Sequence, residues 1–240
     1  MAANVRLYLD HPLAPGQPCA LTQAQSHYLF GVMRLAVGDG LTVFNGVDGA
    51  WAAQVLRDDR RKGVITVVAQ TAPQVMPPDL WLLFAPLKKA RTDFMVEKAV
   101  ELGVARIMPV QTDFTNAERV RPDKMQSHAV EAAEQCGATF VPPVDDLTRL
   151  DRLLAQWPTD RHLMFCDESR LGAATSLLDA PKGPWAVLIG PEGGFSPAER
   201  ACLAAVPQAH PVSLGPRILR ADTAAVAALT LWQAALGDWA

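Results

Sequence analysis

Arg220 and Asp222 stand one residue apart in the stretch Leu214-Gly215-Pro216-Arg217-Ile218-Leu219-Arg220-Ala221-Asp222-Thr223, and their types suit them to chemistry. A guanidinium keeps its proton, so Arg220 can hold a phosphate or offset developing negative charge but cannot serve as a base. Asp222 has three uses open to it: accepting a proton, orienting Arg220, or capping the helix that follows. Its place just before that helix favours capping and orientation. A second glycine-bearing stretch, Ile189-Gly190-Pro191-Glu192-Gly193-Gly194-Phe195-Ser196, follows the apolar run Trp185–Ile189. Glycine lets backbone approach a ligand closely because no Cβ intervenes. Two such strand ends in one α/β domain mark a small-molecule site outside the carboxyl ends of the strands. Glu192 either contacts that ligand or caps a turn.

These loops need a scaffold, and the chain supplies one from Leu80 onward. Leu80–Leu87 reads as a buried strand, Thr92–Leu102 as an amphipathic helix stopped by Gly103, and Ile107–Val110 as the next strand. Pro122 and Gly137 bracket a helix over Asp123–Cys136, with Cys136 expected as a buried small hydrophobe. Leu147–Trp157 reads as a helix, and His162–Cys166, Ala186–Ile189 and Val212–Leu214 as strands. Ser196-Pro197-Ala198-Glu199 opens a helix with a capping box, and Thr223–Leu236 is a long Ala/Leu helix whose small-residue face suits either core or a dimer surface. Alternating strands and helices predict an α/β domain with a largely parallel sheet.

Residues 1–73 are different. Val5–Leu9, Leu41–Phe44, Ala50–Leu56 and Val64–Ala69 are short and rich in β-branched or aromatic residues, with turn chemistry between them. One helix, opened by Thr22 with Gln25 as a capping box, runs to about Arg34. The pattern predicts a small β-barrel over 1–73, a proline-punctuated linker at Pro73, Pro77 and Pro78, and a second domain over 74–240.

Composition narrows the function. Half the residues are hydrophobic and 20% are charged, ordinary for a globular protein. No apolar run is long enough to span a bilayer, and Met1–Asp10 lacks a signal-peptide core, so no membrane role and a cytoplasmic location are expected. Cys19, Cys136, Cys166 and Cys202 are scattered, which argues against a zinc site or a disulfide framework. The net charge of −3 argues against nonspecific coating of nucleic acid. Residues 1–73 carry six Lys/Arg against five Asp/Glu, whereas the remainder carries 16 against 20. Any RNA contact must therefore use local clusters. Arg57-Asp58-Asp59-Arg60-Arg61-Lys62, with its two aspartates, reads as a solvated hairpin tip; Lys88-Lys89-Ala90-Arg91, after a buried strand, is the better candidate. Arg34 either meets phosphate or complements its helix dipole, and His27 reads as structural.

The usual fingerprints fail. There is no G-x-G-x-x-G after a strand, no P-loop, no G-x-S-x-G elbow and no H-E-x-x-H. A glycine-lined cleft without a phosphate-gripping lysine suits a ligand held by backbone amides and apolar walls, such as an adenosyl group. The two loops closely resemble the ribosomal-RNA uridine-N3 methyltransferases of the SPOUT class. Arg6-Leu7-Tyr8, His27 through Arg34, Phe44-Asn45-Gly46, Glu97–Gly103 and Glu131–Gly137 recur in family order. The family usually has arginine where this chain has Ala138, and glutamate where it has Asp222.

The resemblance implies a PUA-like barrel followed by a trefoil-knotted α/β domain, a homodimer, and S-adenosylmethionine as the methyl donor without a metal. It assigns cofactor binding to Ile189, Gly190, Pro191, Glu192, Gly193, Gly194, Leu214, Gly215, Ile218 and Leu219, and catalysis to Arg220 and Asp222. Arg6, Arg34, Lys88, Lys89 and Arg91 are the candidates for contact with small-subunit (16S) ribosomal RNA. Two other readings compete: a noncatalytic RNA-binding or ribosome-assembly protein, and a knotted methyltransferase acting on tRNA or on a ribose hydroxyl. A pure binder would not need both glycine loops and Arg220.

Overall fold

β-branched and aromatic residues at alternating positions fold the N-terminal part into a sheet with one buried face. The computed structural model describes residues 5–116, 120–166, 172 and 175–240. Two compact units form, Met1–Met76 with Ala133–Val141, and Pro77–Ala132 with Pro142–Ala240. The cut expected after residue 73 thus gives way to an edge at Met76, and nine residues from much later in the chain join the first unit.

In that first unit β1 (Arg6–Tyr8), β3 (Gly40–Phe44), β4 (Ala50–Arg57), β5 (Val64–Ala72) and β2 (Pro18–Ala20) lie side by side in that order. β1 pairs with β3 in parallel and the other pairs are antiparallel. Three register shifts between β4 and β5 bend the sheet. Leu7, Leu41, Val43, Val55, Ile65 and Val67 form its core with Leu29 and Phe30. Short β2, with one buried side chain of three, has no apolar signal that sequence alone could show. At the β3–β4 turn, Asn45 Oδ1 accepts from the amides of Val47 and Asp48. Gly49 closes it at φ 78°, where an added Cβ would fall 2.3 Å from the Ala72 carbonyl oxygen, so no other residue fits.

The expected capping box forms at Thr22 and Gln25, but α1 (Gln23–His27) is short and continues as a π-turn over Tyr28–Val32. Arg34 stops it in the left-handed region at φ 59°, the one non-glycine with positive φ among the described residues. Arg6, expected to meet RNA, is half-buried: its Nη2 donates to the Ala138 carbonyl at 2.8 Å and its guanidinium lies 5.0 Å over the Phe44 ring. The Tyr8 amide donates to Glu134 at 2.8 Å. Together these bonds tie residues 133–141 to β1. The Arg57–Lys62 segment is a hairpin tip, with Asp59 accepting from the amides of Arg61 and Lys62.

The second unit holds a six-stranded sheet in the order β11 (Ala209–Val212), β9 (His162–Cys166), β10 (Trp185–Ile189), β6 (Leu80–Phe84), β7 (Arg106–Gln111), β8 (Thr148–Arg149). Every pairing is parallel, so all strands end on one side. The expected helix over Leu147–Trp157 shrinks to α4 (Leu150–Leu154) behind β8, because Thr148 and Arg149 pair with β7. The last strand runs over Ala209–Val212, earlier than expected, since Val212 makes its final pairing with Cys166. Remaining helices are α2 (Lys89–Glu101), α3 (Pro122–Cys136), α5 (Pro197–Ala204) and α6 (Ala221–Leu236). α6 buries Ala224, Ala225, Ala228, Leu229 and Trp232, so its small-residue face belongs to the core of this unit. Buried Gln233 donates to the Leu102 carbonyl at 2.6 Å and locks α6 to the end of α2. Cys136 is exposed, contrary to expectation, because it is the final residue of α3.

Left-handed backbone costs a side-chain-bearing residue about 1 kcal/mol. Arg34→Gly should therefore hold or raise the thermal midpoint, whereas β-branched Arg34→Val should lower it, as calorimetry of the three proteins would show.

Candidate active site

β10 is buried along its whole length and delivers Ile189 to a loop that must turn at once. The Gly194 amide donates to the Pro191 carbonyl at 2.9 Å, closing that turn, and the Phe195 ring inserts beneath it. A Cβ at Gly190 would lie 3.1 Å from that ring, so glycine lets Phe195 seat fully. Ser196 and Glu199 then form the expected capping box with Pro197 at the start of α5. The loop is fixed at both ends.

The second loop leaves β11 at Val212. The Ser213 carbonyl accepts from the Thr175 amide at 2.9 Å, the Ser213 amide donates to Thr175 Oγ1 at 2.9 Å, and Ser213 Oγ accepts from the Gly215 amide at 3.3 Å. Gly215 has φ 123°, and a Cβ built on it would meet no atom within 4 Å. Its open side faces a cleft.

Ile189, Gly190, Pro191, Glu192, Leu214, Gly215, Ile218 and Leu219, all expected in a ligand site, line this one cleft. Gly193 and Gly194 do not: Gly194 shapes the turn, and Gly193 makes room for Phe114, which a Cβ would approach to 3.1 Å. The wall also includes Cys166, Val212, Arg217, Ala221 and Ala224, which the sequence did not single out. Cys166 and Val212 end strands in the same parallel sheet, so the strand-end rule extends to them. Ala221 and Ala224 are one turn apart at the start of α6, a spacing that brings small side chains to one wall. Burial pushes the Cys166 thiol up to about 12, which leaves it neutral and unreactive at the cleft wall.

Arg220 is the N-cap residue of α6, exposed, with no side-chain capping bond. Asp222 is not the cap, because the helix begins at Ala221. Nor does it orient Arg220. Its carboxylate is held by Arg91 in a two-bond fork, Nε to Oδ2 at 2.8 Å and Nη2 to Oδ1 at 2.9 Å. The remaining arm of Arg91, Nη1, bonds Glu192. Arg91, expected to meet RNA, is thus committed to two carboxylates, because its position one turn into α2 faces them and not solvent alone. These hydrogen bonds hold the Asp222 carboxyl below the usual carboxylate range and raise the Arg91 guanidinium. Lys88 and Lys89 sit at the opening of α2, exposed and away from this cleft wall.

A depressed carboxylate stabilises the fold while ionised and loses that contribution as pH falls through its folded value. Asp222→Asn should cost about 1 kcal/mol, as expected for a partly exposed forked ion pair. In urea titrations the difference from the parent should be full near neutrality and shrink once pH drops below the ordinary value of 3.8. A difference unchanged across that range would remove the ion pair as its cause.

Known proteins share both parts. A family model described as the RNA methyltransferase domain matches residues 75–233, and one described as the RNA methyltransferase PUA domain matches residues 21–68. The chain is 28% identical to the ribosomal RNA small subunit methyltransferase E of Rickettsia conorii over 93% of each protein. It is 32% identical to the protein of that name from Synechocystis, over 87% of this chain and 70% of the relative. Among solved structures, that of ribosomal RNA small subunit methyltransferase E from Neisseria gonorrhoeae bound to S-adenosyl methionine superposes with a TM-score of 0.90 at 28% identity, covering 99% of this chain and 100% of the other. A methyltransferase from Legionella pneumophila in complex with the same cofactor gives 0.89 at 29% identity, over 98% and 99%. With its methyltransferase and PUA domains both matched, the chain belongs to the ribosomal RNA small subunit methyltransferase E family.

Proposed function

We propose that this protein transfers a methyl group from S-adenosylmethionine to N3 of a uridine in small-subunit ribosomal RNA. The observation that carries this reading is the cleft between the loops after β10 and β11, lined by backbone and apolar side chains. Those walls fit an adenosyl group: Gly215 offers bare backbone, and Leu214, Leu219 and Ala224 offer apolar surface. Free space in the cleft is about 80 Å³, small beside the roughly 300 Å³ of the smallest cofactor sites. Exposed Arg217 and Ile218 border this space. Ile218, 72% exposed, is an apolar side chain with a ligand to cover.

When bound, the cofactor supplies an electrophilic methyl on a sulfonium. The chain must then tolerate an anionic uracil, since the imide proton has to leave. Arg220, exposed at the head of α6 beside cleft-lining Ala221, offsets charge on the uracil oxygens or grips the adjoining phosphate. Asp222 is a weak base while Arg91 holds it, so its part is positioning: it anchors Arg91, which in turn holds Glu192 at the loop after β10. The target base must be unstacked to enter.

RNA recognition is assigned to the first unit, Met1–Met76 with Ala133–Val141, and catalysis to the second, Pro77–Ala132 with Pro142–Ala240. Exposed Arg34 is the N-terminal contact best supported, because its left-handed backbone is strain retained at a surface position. Arg6 supports the fold there instead. Further readings rest on the family resemblance: a trefoil knot in the catalytic domain, a homodimer and a cytoplasmic location. The order that inserts β10 between β6 and β9 supports the knot. No described helix is long and apolar enough to cross a membrane.

The direct test incubates the protein with isolated small ribosomal subunits and labelled S-adenosylmethionine, then maps modified uridines by mass. Methyl on a ribose or on tRNA alone would overturn the N3 assignment. Calorimetric titration of the cofactor should show binding that survives a chelator and falls at least about tenfold in Gly215→Val, whose side chain would project into the cleft at a backbone angle valine resists. Arg220→Ala should cut methyl transfer about a hundredfold, in the range for loss of one charge-stabilising donor, with cofactor affinity nearly intact. Arg220→Lys should rescue poorly, because a point charge cannot reproduce a planar fork. Equal rates for Arg220→Ala and parent would exclude the role.

A further inference from the structure

A second cleft in the catalytic unit, about 610 Å³, opens between the first turns of α2 and α3. Lys88 and Lys89 stand on one side, Arg121 and Lys124 on the other. The protein as a whole carries −3, yet among the described residues the lining of this cleft gathers four cations against one carboxylate, Asp93. Asp93 already lies 3.5 Å from His128, and Arg121 is clasped by Asp123 outside the cleft. Lys88, Lys89 and Lys124 have no ion-pair partner among the described residues, so three ammonium groups line the cleft without a described counter-charge. Like charges gathered in a cleft repel unless an anion joins them. The floor is apolar: Pro86 and Leu87 after β6, and buried Met125 from α3. It is also rigid, since the Leu87 amide donates to Thr92 Oγ1 at 2.9 Å and that hydroxyl donates back to the Leu87 carbonyl at 3.0 Å.

An apolar floor with a cationic rim matches a nucleotide, whose base and ribose prefer the floor and whose phosphates prefer the rim. The volume falls within the usual range for a site of that size. Its position adds direction. β6 and β10 run parallel with Phe84 paired to Ile189, so the segment carrying Lys88 and the loop of the methyl-transfer cleft leave neighbouring strand ends. Arg91, one turn along α2 from Lys88, grips Glu192 and Asp222 beside that cleft. One helix turn therefore borders both openings.

We propose that this cleft is a nucleotide subsite that holds the RNA strand next to the methylated uridine, with phosphates on Lys88, Lys89 and Lys124 and a base or ribose on the Pro86–Leu87–Met125 floor. The inference rests on the reading that the protein acts on RNA, and it deepens that reading by adding Lys124, which the sequence did not suggest. The occupant is a phosphodiester strand. A bare polyanion or an acidic protein would use the rim and leave the floor idle.

The test compares the full-length protein with a Lys88→Gln, Lys89→Gln, Lys124→Gln triple variant. Fluorescence anisotropy would follow an oligouridylate of about ten nucleotides, and inorganic polyphosphate of matched charge, between roughly 50 and 200 mM salt. The variant should bind the oligonucleotide at least about tenfold more weakly, and its logarithmic salt slope should be shallower by about two, as three lost contacts on a single strand imply. Its cofactor affinity and thermal midpoint should match the parent, which separates loss of contact from loss of fold. Equal affinity and slope in parent and variant would overturn the subsite, as would equal or tighter binding of polyphosphate by the parent. Methylation of isolated small subunits by the parent keeps the two readings apart. Activity in the parent with no change in the triple variant removes only the subsite; no activity in the parent removes the RNA methylation reading itself.

Discussion

Arg91 joins the first turn of α2 both to the head of α6 and to the loop after β10. Its partners are 131 residues away at Asp222 and 101 residues away at Glu192, on the head of α6 and on the loop after β10. Without the guanidinium, the Asp222 and Glu192 carboxylates would lose the cation they share at the cleft. With it, the Asp222 carboxyl is held below the usual carboxylate range and Glu192 is tied to α2. The proton balance of the site follows from this one fork. Under the proposed methylation, Asp222 is a poor acceptor while Arg91 holds it, the uracil imide proton would leave to solvent, and Arg220 is the side chain proposed to meet the developing charge.

The glycines near the cleft do unlike work, although they look alike in sequence. Gly215 presents bare backbone to the opening, whereas Gly190 and Gly193 yield space to the rings of Phe195 and Phe114. Gly194 supplies a left-handed turn. The first loop is therefore packed from behind and the second is open in front. Such a pairing lets one wall stay fixed while the other adjusts to what enters.

Much of the scaffold was legible because its signals are local. Thr22 with Gln25 and Ser196 with Glu199 are capping boxes in sequence and in space, and the apolar runs at Leu80, His162 and Trp185 are buried strands. The strand-end rule brought eight residues of the ligand loops to one cleft wall. What sequence left hidden depends on pairs far apart. Asp222 reads as a cap until Arg91 is seen to claim it, and Arg6 reads as a phosphate contact until the Ala138 carbonyl and the Phe44 ring are seen to hold it. Arg121 and Lys124 look like an ordinary charged helix start until α3 brings them opposite Lys88. The joining of residues 133–141 to the N-terminal unit has no marker in composition either, since its bonds run through Arg6, the Tyr8 amide and Thr139, residues far apart in the chain.

Cys166 carries a consequence for how the protein ages in an oxidising or electrophilic environment. A thiol that would ionise only near pH 12 offers almost no thiolate at neutral pH, so peroxides and alkylating agents find little to attack there. Cys136 and Cys202 are exposed instead, at α3's last residue and on α5. The sulfur atoms most open to solvent therefore lie outside the ligand wall. The order of damage would run from surface to cleft, and a chain already scarred at its exterior thiols would keep an unmodified sulfur where the adenosyl group is proposed to sit.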